Sequence, residues 1–288
     1  MKVHAVKNQS RYRKWSWRFY LLVLLLPLLL AALVGRLLQL QVVDHERGAT
    51  FLQQQGDARA LRTAVIPASR GLITDRYGEP IAVSTPVKSL WMNPQDIDIT
   101  PKALGAVAKS LGVSPRSLQS KVDEASAKEF AYVRRHMNPH DADAVLALDV
   151  DGLYGLQEYR RFYPAAEVTA HLLGFTNIDD QGQEGLELAF DNWLSGEPGS
   201  KQVLRDRRGR VIKEIKQLAA PAPGKDLALS IDLKLQYLAY RELKAAIQQY
   251  RARSGSIVLL DVHTGEVLAL VNQPSFNAND RQQMAAKN

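Results

Sequence analysis

Residues 67–80 read PASRGLITDRYGEP. They hold the pair Arg70-Gly71, the β-branched pair Ile73-Thr74 and the turn sequence Asp75-Arg76-Tyr77-Gly78. Asp at the first turn position accepts the turn amides and Gly at the fourth tolerates positive φ, so 75–78 is expected as a type I turn. Short strands are predicted on either side, at 71–74 and 81–83, with another at Val65-Ile66. The same grammar returns around Asp206-Arg207-Arg208-Gly209, between 203–205 and 210–212. It appears again around Asp261-Val262-His263-Thr264-Gly265, between 257–260 and 266–271. Three hairpins at irregular spacing predict scattered antiparallel sheet rather than a repeat architecture.

Upstream the chain has a different character. Residues 19–35, FYLLVLLLPLLLAALVG, contain nine leucines and no charge. As helix they rise about 26 Å, the short end of what crosses a bilayer core. Arg36 can snorkel at the exit, so that the apolar residues beyond it lengthen the span to 19–42, and Pro27 is tolerated in a membrane helix. The run is long for a cleaved signal peptide and lacks a small-x-small site before Arg36, so an uncleaved anchor is expected. Six basic residues (Lys2, Lys7, Arg11, Arg13, Lys14 and Arg18) and no acid occupy positions 1–18. That asymmetry predicts a cytoplasmic N-terminus with the bulk of the chain outside, that is, a single-pass protein of the inner (cytoplasmic) membrane.

The same residues account for the charge of the whole chain. Lys and Arg number 37 against 30 Asp and Glu, a net +7, and without the tail the balance is 31 to 30. A nucleic-acid partner thereby loses its main support. The absence of cysteine excludes disulfides, thiolate metal sites and a Cys nucleophile.

After a segment at 36–63 that reads as a helix fading into polar sequence, helices are predicted from Thr100-Pro101 to a stop at Gly112, from Ser114-Pro115, and from Asn138-Pro139. A fourth is expected at 184–194, EGLELAFDNWL, with strands at 130–135 and 156–163. The stretch 218–224, LAAPAPG, reads as a domain boundary. Beyond it come a short strand at 227–231 and a long helix capped by Asp232, with Leu235, Leu238, Ala239, Leu243, Ala246 and Ile247 on its apolar side. The almost wholly apolar strands at 257–260 and 267–271 are those of a central sheet covered on both faces, which makes this last unit look incomplete.

Reaction machinery is scarce. His136, His140, Asp141 and Asp143 resemble a metal cluster, but Pro139 breaks the helical i, i+4 geometry and Asn138-Pro139 followed by acids is an ordinary helix start. His263-Thr264-Gly265 falls in a hairpin tip, where Thr-Gly is common turn chemistry. The basic run 205–210 is a hairpin tip without interleaved aromatics, expected as a solvated turn or a face toward an anionic polymer or partner. No Gly-x-Ser-x-Gly, His-Glu-x-x-His, phosphate loop or Ser-x-x-Lys occurs. No catalytic, cofactor-binding or metal-binding residue is identified, and no cofactor is expected.

Taken together, RGLITDRYGEPIAVS (70–84), RFYPAAEVTAHLLGFTNIDDQGQEGLELAFDNWLSGEPG (161–199) and GKDLALSIDLKLQ (224–236) leading into GSIVLLDVHTGEVLALVNQPSFNAND (255–280) resemble the signatures of class B penicillin-binding proteins. Their form is closest to the septal, division-specific branch of that family. The resemblance implies an α+β architecture: a transmembrane helix, an elongated mixed α/β pedestal at 43–220, and the start of a transpeptidase domain at 225–288. It implies that Arg70, Gly71, Asp75, Arg76, Gly78, Arg161, Tyr163, Pro164, Gly185 and Glu187 build the pedestal, with Arg70 partly buried against a carboxylate, best Glu187. Members of the family cross-link stem peptides through the Ser of Ser-x-x-Lys, which attacks a D-Ala-D-Ala carbonyl while the Lys takes its proton. These 288 residues lack that motif and read as the N-terminal part of such an enzyme, expected neither to turn over substrate nor to bind penicillin. Implied partners are membrane proteins of the division machinery and, through the missing catalytic part, peptidoglycan. The alternative is a non-catalytic membrane-anchored scaffold that binds division partners. A bifunctional glycosyltransferase is disfavoured because the segment between anchor and boundary lacks an acidic motif for that chemistry.

Overall fold

A computed structural model of the protein describes residues 17–38, 61–97, 100–205 and 211–280. The chain separates into two compact units, one ending at Leu61 and the other starting at Arg62.

Within the first unit the described residues form one helix, α1 (Trp17–Leu38). Its segment Tyr20–Leu37 is long and apolar enough to cross a membrane, and none of it is buried by protein. Leucines exposed on every side are what a hydrocarbon solvent demands, because a helix satisfies its own backbone and lipid receives its side chains. Pro27 lies inside the helix. The expected end of the span at 39–42, and residues 39–60 of the fading helix expected at 36–63, fall outside the described residues. Leu61–Ile66 is strand β1, not a fading helix.

The second unit holds three sheets among its described residues. In the largest, β3 (Pro80–Met92) is the common member. Its start pairs antiparallel with β2 (Ile73–Thr74), which continues in parallel to β8 (Leu227–Ala228). Its later part lies between β4 (Ala131–Met137) and β5 (Leu153–Phe162), with β5 in register from Val83↔Phe162 to Met92↔Leu153. A second sheet orders β1, β6 (Gly199–Arg205) and β7 (Val211–Ala219). The third is the hairpin of β9 (Gly255–Leu260) and β10 (Val267–Gln273).

Helices α2 (Pro101–Leu111), α3 (Pro115–Glu124) and α4 (Pro139–Leu146) begin where the sequence places them. Thr100, Ser114 and Asn138 each accept a first-turn amide, at 3.3, 3.2 and 3.0 Å, and Pro follows each cap, where its missing N–H costs nothing. Gly112 ends α2 in the left-handed conformation. Their apolar faces meet Leu90, Met92, Val133, Met137 and Leu153 in one core. Alternation along β3 therefore sends Leu90 and Met92 to the helices and Ser89 and Trp91 to the opposite face. A second core gathers Ile73, Ile81, Tyr163, Leu173, Leu194 and Ala278.

Three expectations are revised. The helix expected at 184–194 is two short ones, α6 (Gly185–Ala189) and α7 (Asp191–Leu194), parted at Phe190, whose φ of −112° leaves the helical range; α5 (Ala170–Leu173) precedes them. The long helix α8 (Leu233–Tyr250) is capped by Asp232 as expected, but Leu238 on its apolar side is half exposed and the polar Gln236 is fully buried. The amide of Gln236 is satisfied there by the carbonyls of Val168 and Leu270 and by the Leu270 N–H, at 2.7–2.8 Å, so burial costs it no hydrogen bond. Strand β9 reads as a covered central strand yet among the described residues is paired only with β10, and Val258 and Leu260 stay exposed. Residues in the 218–224 stretch are bonded into the fold: Ala222 exchanges hydrogen bonds with Glu197, and the Gly224 N–H donates to Ser69 O.

Two glycines make opposite demands. A Cβ on Gly71 would lie 2.0 Å from the backbone oxygen of Lys225, whereas Gly78 has open space but a φ of +86°. Gly78→Ala is expected to cost about 1–2 kcal/mol for its left-handed backbone. Gly71→Ala requires two main chains to part, and its urea unfolding midpoint in the full chain should fall well below that of Gly78→Ala. Equal midpoints would mean that the contact at Gly71 is not a constraint.

Candidate functional site

The segments singled out in the sequence converge on a buried ion cluster. Arg70 lies between β1 and β2, Arg161 near the end of β5, and Glu187 in α6. All three are buried, Glu187 completely. Arg70 Nη2 stands 2.8 Å from Glu187 Oε2, and Arg161 Nε stands 2.6 Å from Glu187 Oε1, so one carboxylate is held between two guanidiniums. Arg70 Nη1 pairs with Asp191 Oδ1 at 2.7 Å and donates to the Asp180 carbonyl at 2.8 Å. Arg161 Nη1 donates to Gly71 O at 2.7 Å. Two cations and two carboxylates close a neutral set, which is what low-dielectric burial requires.

Protonation follows from this arrangement. Burial works against the Arg70 cation, but Glu187 and Asp191 outweigh it and hold its pKa above the ordinary guanidinium value. Burial likewise opposes charge on Asp191, yet the Gly182 N–H and the Arg70 guanidinium prevail and keep that carboxyl below the usual Asp range. Burial, with Glu187 nearby, pushes the Tyr163 hydroxyl up.

The remaining motif residues act around this junction. Asp75 Oδ1 accepts the Tyr77 and Glu79 amides at 2.8 Å, and Oδ2 accepts Leu233 N at 3.3 Å, so one carboxylate ties its own turn to the first turn of α8. The Gly78 N–H closes the turn onto Asp75 O. Arg76 lies on the surface, 3.3 Å from Glu266. Tyr163 is buried in the second core, and exposed Pro164 sits inside the turn closed by Ala166 N and Tyr163 O. Gly185, with φ +59°, backs onto the Gly174 amide. Arg70, Gly71, Arg161 and Glu187 thus meet directly, while Arg76 and Pro164 lie outside the cluster.

Asp191 escaped the sequence reading. The chain leaves the helix at Phe190 between it and Glu187, so helical spacing does not place the two carboxylates together, yet both reach Arg70. Asn279 escaped as well: its side chain accepts from Tyr163 N at 3.0 Å and donates to Tyr163 O at 2.9 Å, pairing with that backbone as a strand would. The two histidines of the apparent metal cluster are in unlike surroundings, His136 largely buried 3.7 Å from Glu158 and His140 in solvent beside Asp141. His263 and Thr264 sit in the turn after β9, their amides bound to Asp261 Oδ1, which holds that carboxyl below the usual range. The basic tip at 206–210 lies outside the described residues. The junction pairs its two guanidiniums with two carboxylates, and the exposed Ser195 hydroxyl beside them accepts from Arg70 Nη1 at 3.0 Å, so its chemistry is that of a clamp joining three stretches of chain.

Residues 65–229 match the family model described as penicillin-binding protein dimerisation domain. Among curated proteins, the probable peptidoglycan D,D-transpeptidase PbpC of Pseudomonas aeruginosa is 44% identical over 274 residues, covering 94% of this chain and 47% of that protein. Peptidoglycan D,D-transpeptidase FtsI of Escherichia coli K12 is 44% identical over 285 residues, covering 97% and 48%. The chain spans about half the length of these relatives. Of solved structures, a Helicobacter pylori penicillin-binding protein, PBP2, in complex with MreC shares the fold with a TM-score of 0.56 at 21% identity, over 79% of this chain and 46% of that one.

Glu187→Gln leaves two buried guanidiniums short of a countercharge and is expected to cost about 3–5 kcal/mol in urea unfolding of the full chain. A loss below about 1 kcal/mol, the level of an exposed pair, would show that the clamp carries no stability. Asp191, whose pKa is depressed on folding, contributes stability that is present above its unfolded pKa of about 3.9 and is lost as pH falls through the folded value. Asp191→Asn should therefore flatten the fall in melting temperature below about pH 4. An unchanged acid limb would assign that fall to other carboxylates.

Proposed function

Because the chain belongs to the penicillin-binding proteins, whose dimerisation domain it carries at residues 65–229, we propose that it is the anchor and pedestal of a septal peptidoglycan D,D-transpeptidase. One observation carries this reading: 44% identity to two peptidoglycan D,D-transpeptidases over nearly the whole chain. In it, residues 1–18 are a cytoplasmic tail, 19–42 the anchor and 43–220 the pedestal, while 225–288 open the transpeptidase domain. The basic tail before α1 puts the N-terminus in the cytoplasm and the second unit on the outer side of the inner membrane. The acylating serine belongs to sequence outside these 288 residues, as does the lysine that takes its proton. Partners are membrane proteins of the division machinery, and peptidoglycan reaches the protein through the catalytic part.

What the described residues contribute is positioning. The Arg70–Glu187–Arg161 clamp fixes the pedestal segments, and Asp75 passes that order on to α8 through the Leu233 amide. Asn279 does the same for the chain leaving β10, through Tyr163. A serine nucleophile needs its partners held to within a fraction of an ångström, and such a frame is how a non-catalytic part supports the reaction.

The test is a chimera joining this chain to the remaining half of E. coli FtsI, expressed in cells depleted of their own FtsI. The chimera should label with fluorescent penicillin and restore septation, and the 288-residue chain alone should not label. A chimera that inserts and labels but leaves cells filamentous would overturn the septal assignment. Labelling of the chain alone would place a nucleophile within it.

A further inference from the structure

Charge in the second unit is divided by sheet. Strands β1, β6 and β7 carry Arg62, Lys201, Arg205, Lys213 and Lys216 against one acid, Glu214. Between them in sequence, residues 67–198 hold 12 Lys and Arg against 19 Asp and Glu. The three strands come from both ends of that acidic stretch and meet only in the folded sheet, in the order β1-β6-β7. Folding thus collects a net +4 on one sheet and leaves −7 in the sequence that it brackets.

Among the described residues β7 forms one edge of this sheet, and its side chains from Lys213 to Ala219 are all exposed. Its pairing with β6 slips three times, and the residue passed over at each slip is Ile212, Ile215 or Leu218. An edge bulged three times and carrying two lysines is twisted away from further strand pairing, so an added protein strand is not the partner that it fits. It presents apolar groups instead, Val211, Ile215 and Leu218 each about half exposed, interspersed with Lys213 and Lys216. Val65 on β1 is also exposed, and the one acid, Glu214, is taken up by Lys201.

We propose that the β1-β6-β7 sheet docks, through β7, on a bilayer surface bearing anionic phospholipid headgroups. The negative potential of such a surface attracts lysines, and apolar side chains among them enter the boundary between headgroups and acyl chains. The same field repels the acidic remainder, so the division of charge selects this sheet as the face turned to lipid. The sheet also contains the first described strand after α1, the helix long and apolar enough to cross a membrane, with only residues 39–60 between them in the chain. The assignment rests on α1 as an anchor and goes beyond the transpeptidase reading, which stands whether or not the sheet binds lipid.

The chain has no cysteine, so a single introduced one reports from a chosen place. The full chain carrying Gln217→Cys, labelled with bimane, is reconstituted in phosphatidylcholine vesicles containing a spin-labelled headgroup quencher, with and without phosphatidylglycerol. Val262→Cys, at an exposed position in the turn after β9, is the reference. Phosphatidylglycerol should bring contact quenching at residue 217 and not at 262, and added salt should reverse it. Lys213→Gln with Lys216→Gln should lower the ratio of docked to free protein roughly 25-fold, about fivefold per lysine, while Lys213→Arg with Lys216→Arg should keep it. Both lysines are exposed, and melting curves confirm that each variant is folded. Poly-glutamate added to the phosphatidylcholine vesicles tests an acidic protein as the partner. Quenching at 217 that ignores phosphatidylglycerol, equals that at 262 or survives the glutamine pair in folded protein would overturn the proposal. So would a label that responds to poly-glutamate and not to phosphatidylglycerol.

Discussion

The carboxylate of Glu187 sits where water does not reach, and both of its oxygens are taken, one by Arg70 and one by Arg161. Desolvated charges of this kind are tolerated only in complete sets, because removing any one strands the others at a cost larger than the set is worth. The two arginines come from stretches far apart in the chain, and each spends a further N–H on a carbonyl, Arg161 on Gly71 and Arg70 on Asp180. None of these stretches can be placed without the rest. The requirement at Gly71 follows: its carbonyl serves Arg161, and its missing Cβ admits the chain at Lys225.

A second tier of side chains extends this order by imitating main chain. Asn279 offers Tyr163 one donor and one acceptor, and Gln236 does so for Leu270 while also reaching Val168. Asp75 serves two turns with one carboxylate. Neutral amides suit these places, since a buried amide that makes its hydrogen bonds costs little, whereas a charge would need a partner of its own. The region after β8 is thereby tied to the motif segments by specific bonds as well as by apolar packing.

The sheet around β3 divides its labour by face. One face is closed by three capped helices over a continuous apolar core. The other carries aromatic rings and charged groups, among them Arg135 paired with Glu158 and Asp179 and the Tyr132 hydroxyl bonded to Glu158. Helix α1 follows the opposite logic: its apolar groups face outward everywhere, which fits a lipid solvent.

Much of this was legible in the residues. The Ser, Thr and Asn caps before Pro101, Pro115 and Pro139, the Asp75 and Asp261 turns, the Asp232 cap and the leucine run all act within a few residues of themselves, so local chemistry specifies them. The Arg70–Glu187 pairing was named through family resemblance rather than spacing; Arg161 was named as a motif residue but not as the second partner of Glu187, and Asp191 was not named. The break at Phe190, the burial of Gln236 and the exposure of β9 depend on which distant surface each element meets. Sequence alone thus determined the capped starts of α2–α4 and α8, the Asp75 and Asp261 turns and the long apolar helix, because these rest on short-range bonds and on the solvent each residue tolerates. Tertiary structure alone decided which charges share one dry site and which rings line one face, because those neighbours are brought together only when the sheet closes.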